Sequence, residues 1–309
     1  MHIPVLLNEV IEFLKPEPGK FFIDGTVDGG GHAREILKRI MPGGKFLGVD
    51  WDKTMIEKLK SDEEMRGGIG KGNVKLVRGN YADLPDILEK ENLPKADALI
   101  LDLGFSSEQL ESSGRGFSFR KDEPLLMTYD ESAIPVKEIL RKIDEQELAD
   151  LIFELSGERF SRKIAAAIKK SCKRKPIETT GELNEIIKSV LPRNYERGRI
   201  EPATRTFQAL RIYANRELEN IEDVLKKIRE IIKPDGRVAI ISFHSLEDRT
   251  VKKWFKRMNK DGEIEILTPK PVRPTREESS KNPRSRSAML RAARIIKKIT
   301  NYQIPNTKF

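Results

Sequence analysis

Residues 21–32 read FFIDGTVDGGGH, a string that few folds can use. Apolar Phe21, Phe22 and Ile23 close on Asp24, glycines follow at 25, 29, 30 and 31, and Ala33, Ile36, Leu37, Ile40 and Met41 then recur at helical spacing. Strand, glycine turn, helix is the unit that carries backbone N–H groups and the positive end of a helix up to a ligand. A structural turn needs one or two glycines. Four within seven positions point to a backbone that a cofactor approaches closely.

Further short apolar runs extend this unit into a sheet. Lys45–Asp50 (KFLGVD) reads as a second buried strand, and its closing acid lies 19 residues beyond Gly31, where nucleotide-binding α/β folds place a partner for ribose hydroxyls. Asn73–Val77 is a third strand, with Tyr81 just past its end, either stacked on a purine or part of the core. Asp97–Asp102 (DALILD) is a fourth, again closed by an acid and followed by Leu103-Gly104-Phe105. Strands alternating with helices give a parallel, doubly wound sheet, and such sheets bind ligands beyond the carboxyl ends of their strands. Asp24, Asp50, Tyr81 and Asp102 are therefore expected to converge on one crevice.

From Gln109 to Pro202 no comparable strand appears. Helical patterns occupy Val136–Ile143, Asp144–Ser156, Glu158–Lys173 and Thr180–Leu191, so an inserted helical module is expected over residues 109–202, with the core made of 1–108 and 203–309. Ahead of these helices, Arg115-Gly-Phe-Ser-Phe-Arg120 is either a loop anchored by phenylalanine or a platform for a base. A helical pattern then runs from Phe207 to Ile232 and is stopped by Lys233-Pro-Asp-Gly236. Arg237–Ser242 follows as a fifth strand with His244 just beyond it, then a helix with Val251, Trp254 and Phe255, and strands at Glu263–Leu267 and within Ser285–Ile295.

Charge narrows the choice of partner. The 309 residues carry a net +9, and the basic residues cluster: Arg159–Lys175 holds eight and no acid, Lys270–Lys298 ten against Glu277 and Glu278. Such clustering suits a polyanion better than a merely solvated surface. Cys172 is the only cysteine and the three histidines are scattered, which argues against disulfides and a zinc site. No apolar run reaches 18 residues and no signal peptide is read, so a cytoplasmic chain with no membrane and no metal is expected. Oligomeric state is not legible.

The motifs resemble those of the RsmH (MraW) family over nearly the whole length. The match runs through His2–Val10, Asp24–His32, Asp102–Leu110, Arg115–Phe119, Glu158–Ile168, Pro202–Asn220, Ile241–Arg249 and Asn282–Arg294; SFHSLEDR and PATRTFQALRIY are its most distinctive strings. The resemblance implies a Rossmann-like class I S-adenosylmethionine methyltransferase core with an inserted all-helical, RNA-binding domain. It implies methylation of cytidine N4 in small-subunit ribosomal RNA, free or within the 30S subunit. It also implies S-adenosylmethionine as cofactor, held by Gly30, Gly31, His32, Asp50, Tyr81, Asp102 and Gln109. Strand order places Asp102 and the carbonyls of Leu103–Phe105 to accept from the N4 amine, and His244 to accept a proton, contact RNA or simply pack its loop. The chain departs from the family's pattern at Asp28, where glycine is usual, and at Leu126 and Thr128. Two rival readings remain at this stage, a nicotinamide oxidoreductase and a non-catalytic RNA-binding factor with the same fold.

Overall fold

The computed structural model describes residues 4–104, 114–130, 132–195 and 201–297. It divides into two compact units, one of Ile3–Leu103 with Ile221–Phe309 and one containing Gly104–Asn220. Gln109 and Phe105 lie outside the described residues.

The first unit begins with helix α1 (Leu7–Leu14), and then alternates β1 (Phe21–Asp24), α2 (Gly31–Ile40), β2 (Lys45–Asp50), α3 (Lys53–Ser61), α4 (Glu63–Gly70), β3 (Val74–Arg78), α5 (Leu84–Lys90) and β4 (Ala96–Asp102). Every residue of β1 is buried, as is all of β2 after Lys45, as a strand covered on both faces requires. Asp52 and Asp62 cap α3 and α4 by accepting backbone N–H bonds, which is how a helix as glycine-rich as α4 starts where it does.

In the second unit α6 (Val136–Lys142), α7 (Glu145–Ser156), α8 (Ser161–Cys172), α9 (Thr180–Val190) and α10 (Thr204–Ala214) pack around Leu140, Leu148, Ile152, Ile164, Ile168, Leu183, Phe207 and Leu210. The sequence boundary at residue 203 thus shifts to 220, because Ala203, Phe207, Ala209 and Leu210 bury their side chains with these helices. The helical pattern from Phe207 to Ile232 is also broken, into α10, α11 (Glu217–Lys226) and α12 (Ile228–Ile231). The break sits at Asn215 and Arg216. The Asn215 amide donates to the carbonyls of Met127 and Arg211 and accepts from Tyr129 N, and Arg216 turns left-handed at φ 51°.

Back in the first unit come β5 (Ile232–Ser242), α13 (Ser245–Lys260), β6 (Ile264–Ile266), α14 (Arg276–Lys281) and β7 (Met289–Ile295). The seven-stranded sheet runs β3-β2-β1-β4-β5-β7-β6. The strands from β3 to β5 pair parallel, and β7 pairs antiparallel with both β5 and β6. Order reverses between β1 and β4, so the carboxyl ends of β1, β2 and β4 flank one switch point.

Candidate active site

The glycine turn is tied to its neighbours strand by strand. Gly25 N donates to Ile100 O at 3.0 Å and Val27 N to Val49 O at 2.9 Å, which pins the turn to β4 and β2 together. Gly25 leaves no room for a side chain, since a Cβ there would sit 2.5 Å from Leu101 Cδ2. Gly30 combines φ 75° with the Leu59 side chain 2.8 Å from where a Cβ would sit, so any other residue there would be strained. It caps α2 with no side chain bonded over the helix end, the kind of helix start whose first N–H groups suit an anion. Arg34 fixes the turn from behind, bonding Gly29 O at 2.8 Å and Asp62 Oδ2 at 2.7 Å.

The acids at the strand ends meet around this turn. Asp24 Oδ1 accepts from Thr26 N at 3.1 Å, and the Thr26 hydroxyl accepts from Asp102 N at 2.6 Å, joining the ends of β1 and β4 through one side chain. Asp50 accepts from Asp28 N on one oxygen and Asp52 N on the other, both at 2.8 Å, which leaves each oxygen a second lone pair. Burial pushes the Asp24 carboxyl up to about 8; the charges of Asp102, Asp50 and Asp28 add to the rise, against a lowering bond from Thr26 N. Asp50 is pushed up to about 7 by burial and the Asp28 charge, opposed by its two backbone bonds. Four carboxylates share a confined, largely buried space.

His32, on the first turn of α2, is buried at 5 % exposure beneath this cluster. Its Nε2 lies 2.9 Å from Val5 O, and because a carbonyl only accepts, Nε2 carries the proton. Nδ1 is therefore the nitrogen turned toward Asp102 Oδ2, 3.7 Å away. Tyr81 follows β3 and stacks against Trp51 just past β2, ring centroids 6.4 Å apart and planes at 18°. The structure thus brings Gly30, Gly31, His32, Asp50, Tyr81 and Asp102 to one edge of the sheet, and adds Asp28 and Thr26, which spacing had not singled out as site residues.

His244 has a defined local task. It caps α13, its Nδ1 accepting from Glu247 N at 3.4 Å, while Glu247 Oε2 accepts from Phe243 N at 2.8 Å and His244 N at 3.3 Å. Its Nε2 lies 3.1 Å from Glu247 Oε1. The next residue, Asp248, holds the buried Arg291 of β7 through two bonds of 2.7 and 3.1 Å. The string SFHSLEDR is therefore largely the fastening of α13 to the sheet.

In the helical unit the Arg115–Arg120 segment is an anchored loop. Phe117 stacks on Tyr129 at 5.1 Å, Phe119 packs edge-on to Phe207 at 5.2 Å, and Arg115 bonds Tyr129 O at 2.7 Å. Thr128, one of the departures, is buried in the same turn. The basic run on α8 is split between two uses. Lys169 Nζ donates to Leu140, Arg141 and Ile143 carbonyls at the end of α6, and Lys175 pairs with Glu182 at 2.8 Å. Arg159, Arg162, Lys163, Lys170, Lys173 and Arg174 are exposed, with no acidic partner among the described residues.

Residues 1–296 match the family model described as the MraW methylase family. The chain is 44 % identical over 303 residues to the "Ribosomal RNA small subunit methyltransferase H" of Thermotoga neapolitana, covering 96 % of each chain. Proteins of the same name from Coprothermobacter proteolyticus (43 %, covering 94 % of each chain) and Syntrophotalea carbinolica (40 %, covering 95 % of this chain and 97 % of that one) are similarly close. A match of that identity along nearly the whole length, on a chain with this strand order and this glycine turn, makes it a member of the MraW methylase family.

Proposed function

We propose that this protein methylates N4 of a cytidine in small-subunit ribosomal RNA, with S-adenosylmethionine as methyl donor. The observation that carries the reading is the packing of Asp24, Asp28, Asp50 and Asp102 around a glycine turn. Carboxylates that raise one another's pKa favour a cation, and S-adenosylmethionine brings a sulfonium and an ammonium. A dinucleotide would bring two phosphate charges to the same acids, which disfavours the nicotinamide reading.

The residues divide the cofactor between them. Backbone N–H groups of Gly31 and His32, at the open end of α2, suit the methionyl carboxylate. Asp28 suits the ammonium, Asp50 the ribose diol through its remaining lone pairs, and Tyr81 with Trp51 the adenine face. Gln109 joins this set from the family resemblance. The bound cofactor supplies an electrophilic methyl group, so no metal and no covalent enzyme intermediate is required. Cytosine N4 is a poor nucleophile because its lone pair is delocalised into the ring. An acceptor on N4–H restores that lone pair and receives the developing charge, and Asp102 at the end of β4 is the acceptor. A proton taken up there has His32 Nδ1 as its next neighbour. The base must leave its stack to reach such an edge, and the exposed cations of α8 suit the flanking phosphates.

Mass mapping of ribosomal RNA after incubation with purified protein and S-adenosylmethionine tests the reading directly. One added methyl on a cytidine N4 is expected, and its absence on both free RNA and small subunits overturns it. A second expectation follows from the raised carboxyls. With carboxyls pushed up to about 7 and about 8, Asp50 and Asp24 ionise in the folded protein only as pH climbs into that range. Affinity for S-adenosylmethionine should therefore rise between pH 6 and 8.5, and more steeply than for S-adenosylhomocysteine, which lacks the sulfonium charge. Each pKa unit relieved on binding is worth about 1.4 kcal/mol, a factor of ten in affinity. Calorimetric titration checks this, and an affinity ratio that stays flat with pH removes the electrostatic basis. His244→Ala should cost about 1 kcal/mol in thermal melts through the lost cap. It should also slow methyl transfer without unfolding the protein; unchanged turnover would confine His244 to capping.

A further inference from the structure

The helix α13 carries a feature that a linear reading of charge hides. Arg249, Lys252, Lys253, Lys256, Arg257 and Lys260 are all exposed, and at 100° per residue they fall within an arc of about 140°. Val251, Phe255 and Met258 occupy the opposite, buried side. Among the described residues only Arg257 has an acidic partner, Asp261, at 3.9 Å and open to solvent. Four like-charged pairs stand at i,i+4 along the stripe, an arrangement that costs an isolated helix stability. Trp254 lies at its margin, with Arg257 at 5.1 Å and Lys226 Nζ at 5.9 Å from the ring centroid, so the indole holds two cations in place.

The stripe also starts where the chemistry is. The last residues of β5 pair parallel with β4, Ile241 beside Asp102, and α13 follows from the cap at His244. Its 16 residues then carry the cations away from that edge over about 24 Å. From this placement we infer that the exposed face of α13 is a second RNA-binding surface, which grips the phosphate backbone of the substrate strand on the catalytic unit itself. This rests on RNA being the substrate, and it adds a contact surface to the helical unit's cations. Phosphate neutralisation by spaced lysines and arginines is independent of sequence and is read by salt.

The test uses the full chain and a small-subunit ribosomal RNA transcript, with affinity measured across a salt series. K252Q/K253Q/K256Q keeps an unbranched polar side chain and similar helix propensity at each position but removes three charges. The slope of log affinity against log salt should become shallower by about 2, at 0.7 for each single-strand phosphate. Melting temperature and S-adenosylhomocysteine affinity should stay at wild-type values. K252R/K253R/K256R should restore the slope, which separates charge from any folding defect. An unchanged slope in a variant that still binds RNA overturns the stripe while leaving the RNA reading intact. Absence of RNA binding by the wild type overturns both. Wild-type binding to phosphatidylserine vesicles that the glutamine variant loses, with the RNA slope unchanged, assigns the face to a membrane and likewise overturns the proposal.

Discussion

Asp102→Asn is expected to slow methyl transfer by about 10²–10⁴-fold, the range for losing a positioned proton acceptor. The substitution is nearly isosteric. The bond that anchors this end of β4 uses the Asp102 backbone N–H to Thr26, so the turn should keep its shape. A carboxamide still accepts a hydrogen bond from N4–H, but it takes up no proton and offers no full charge to the nitrogen as it turns cationic. Single-turnover assays with saturating cofactor isolate this step from binding. Melting temperature and S-adenosylhomocysteine affinity should change little by comparison. A wild-type single-turnover rate would remove Asp102 from the chemistry and leave it a cofactor contact.

Arg291→Ala should cost about 3–5 kcal/mol of folding stability, the penalty for breaking a buried ion pair from one side. Arg291 is 5 % exposed on β7, the strand that joins β5 to β6, and its guanidinium meets Asp248 with two parallel bonds. Truncation leaves the half-buried Asp248 carboxylate without its guanidinium partner. Urea denaturation compares it with wild type. A difference below about 0.5 kcal/mol, the scale of an ordinary surface substitution, would show that water enters and replaces the pair. Arg291→Met, with its similar volume, should not rescue stability unless Asp248 is made neutral as well.

Much of the nucleotide-binding half could be read from the sequence because its signals are local. Buried parallel strands are apolar runs, the acids close them, and glycine relieves the crowding at Gly25 and the left-handed turn at Gly30. The helix break at Asn215 was not legible, since its bonds to Met127 and Tyr129 join segments some 90 residues apart in the chain. α4 was not legible for a different reason: three glycines argue against a helix, and the Asp62 cap together with the burial of Met65 outweighs them. Charge counting misled in both directions. Lys169 sits in the strongest basic run yet is committed to three backbone carbonyls, whereas the α13 cations are diluted along the chain by core residues and align only once wound into a helix. SFHSLEDR, distinctive as a string, owes much of its pattern to capping and to the Asp248–Arg291 pair.

Asp28 has a consequence beyond ligand binding. It holds a left-handed conformation, φ 41°, and places one more negative group beside Asp50 and Asp24. Both features weigh against the folded chain, and a positive charge beside the acids would offset the second of them. A cationic ligand is therefore expected to raise the melting temperature of this chain more than a neutral one of the same size and affinity.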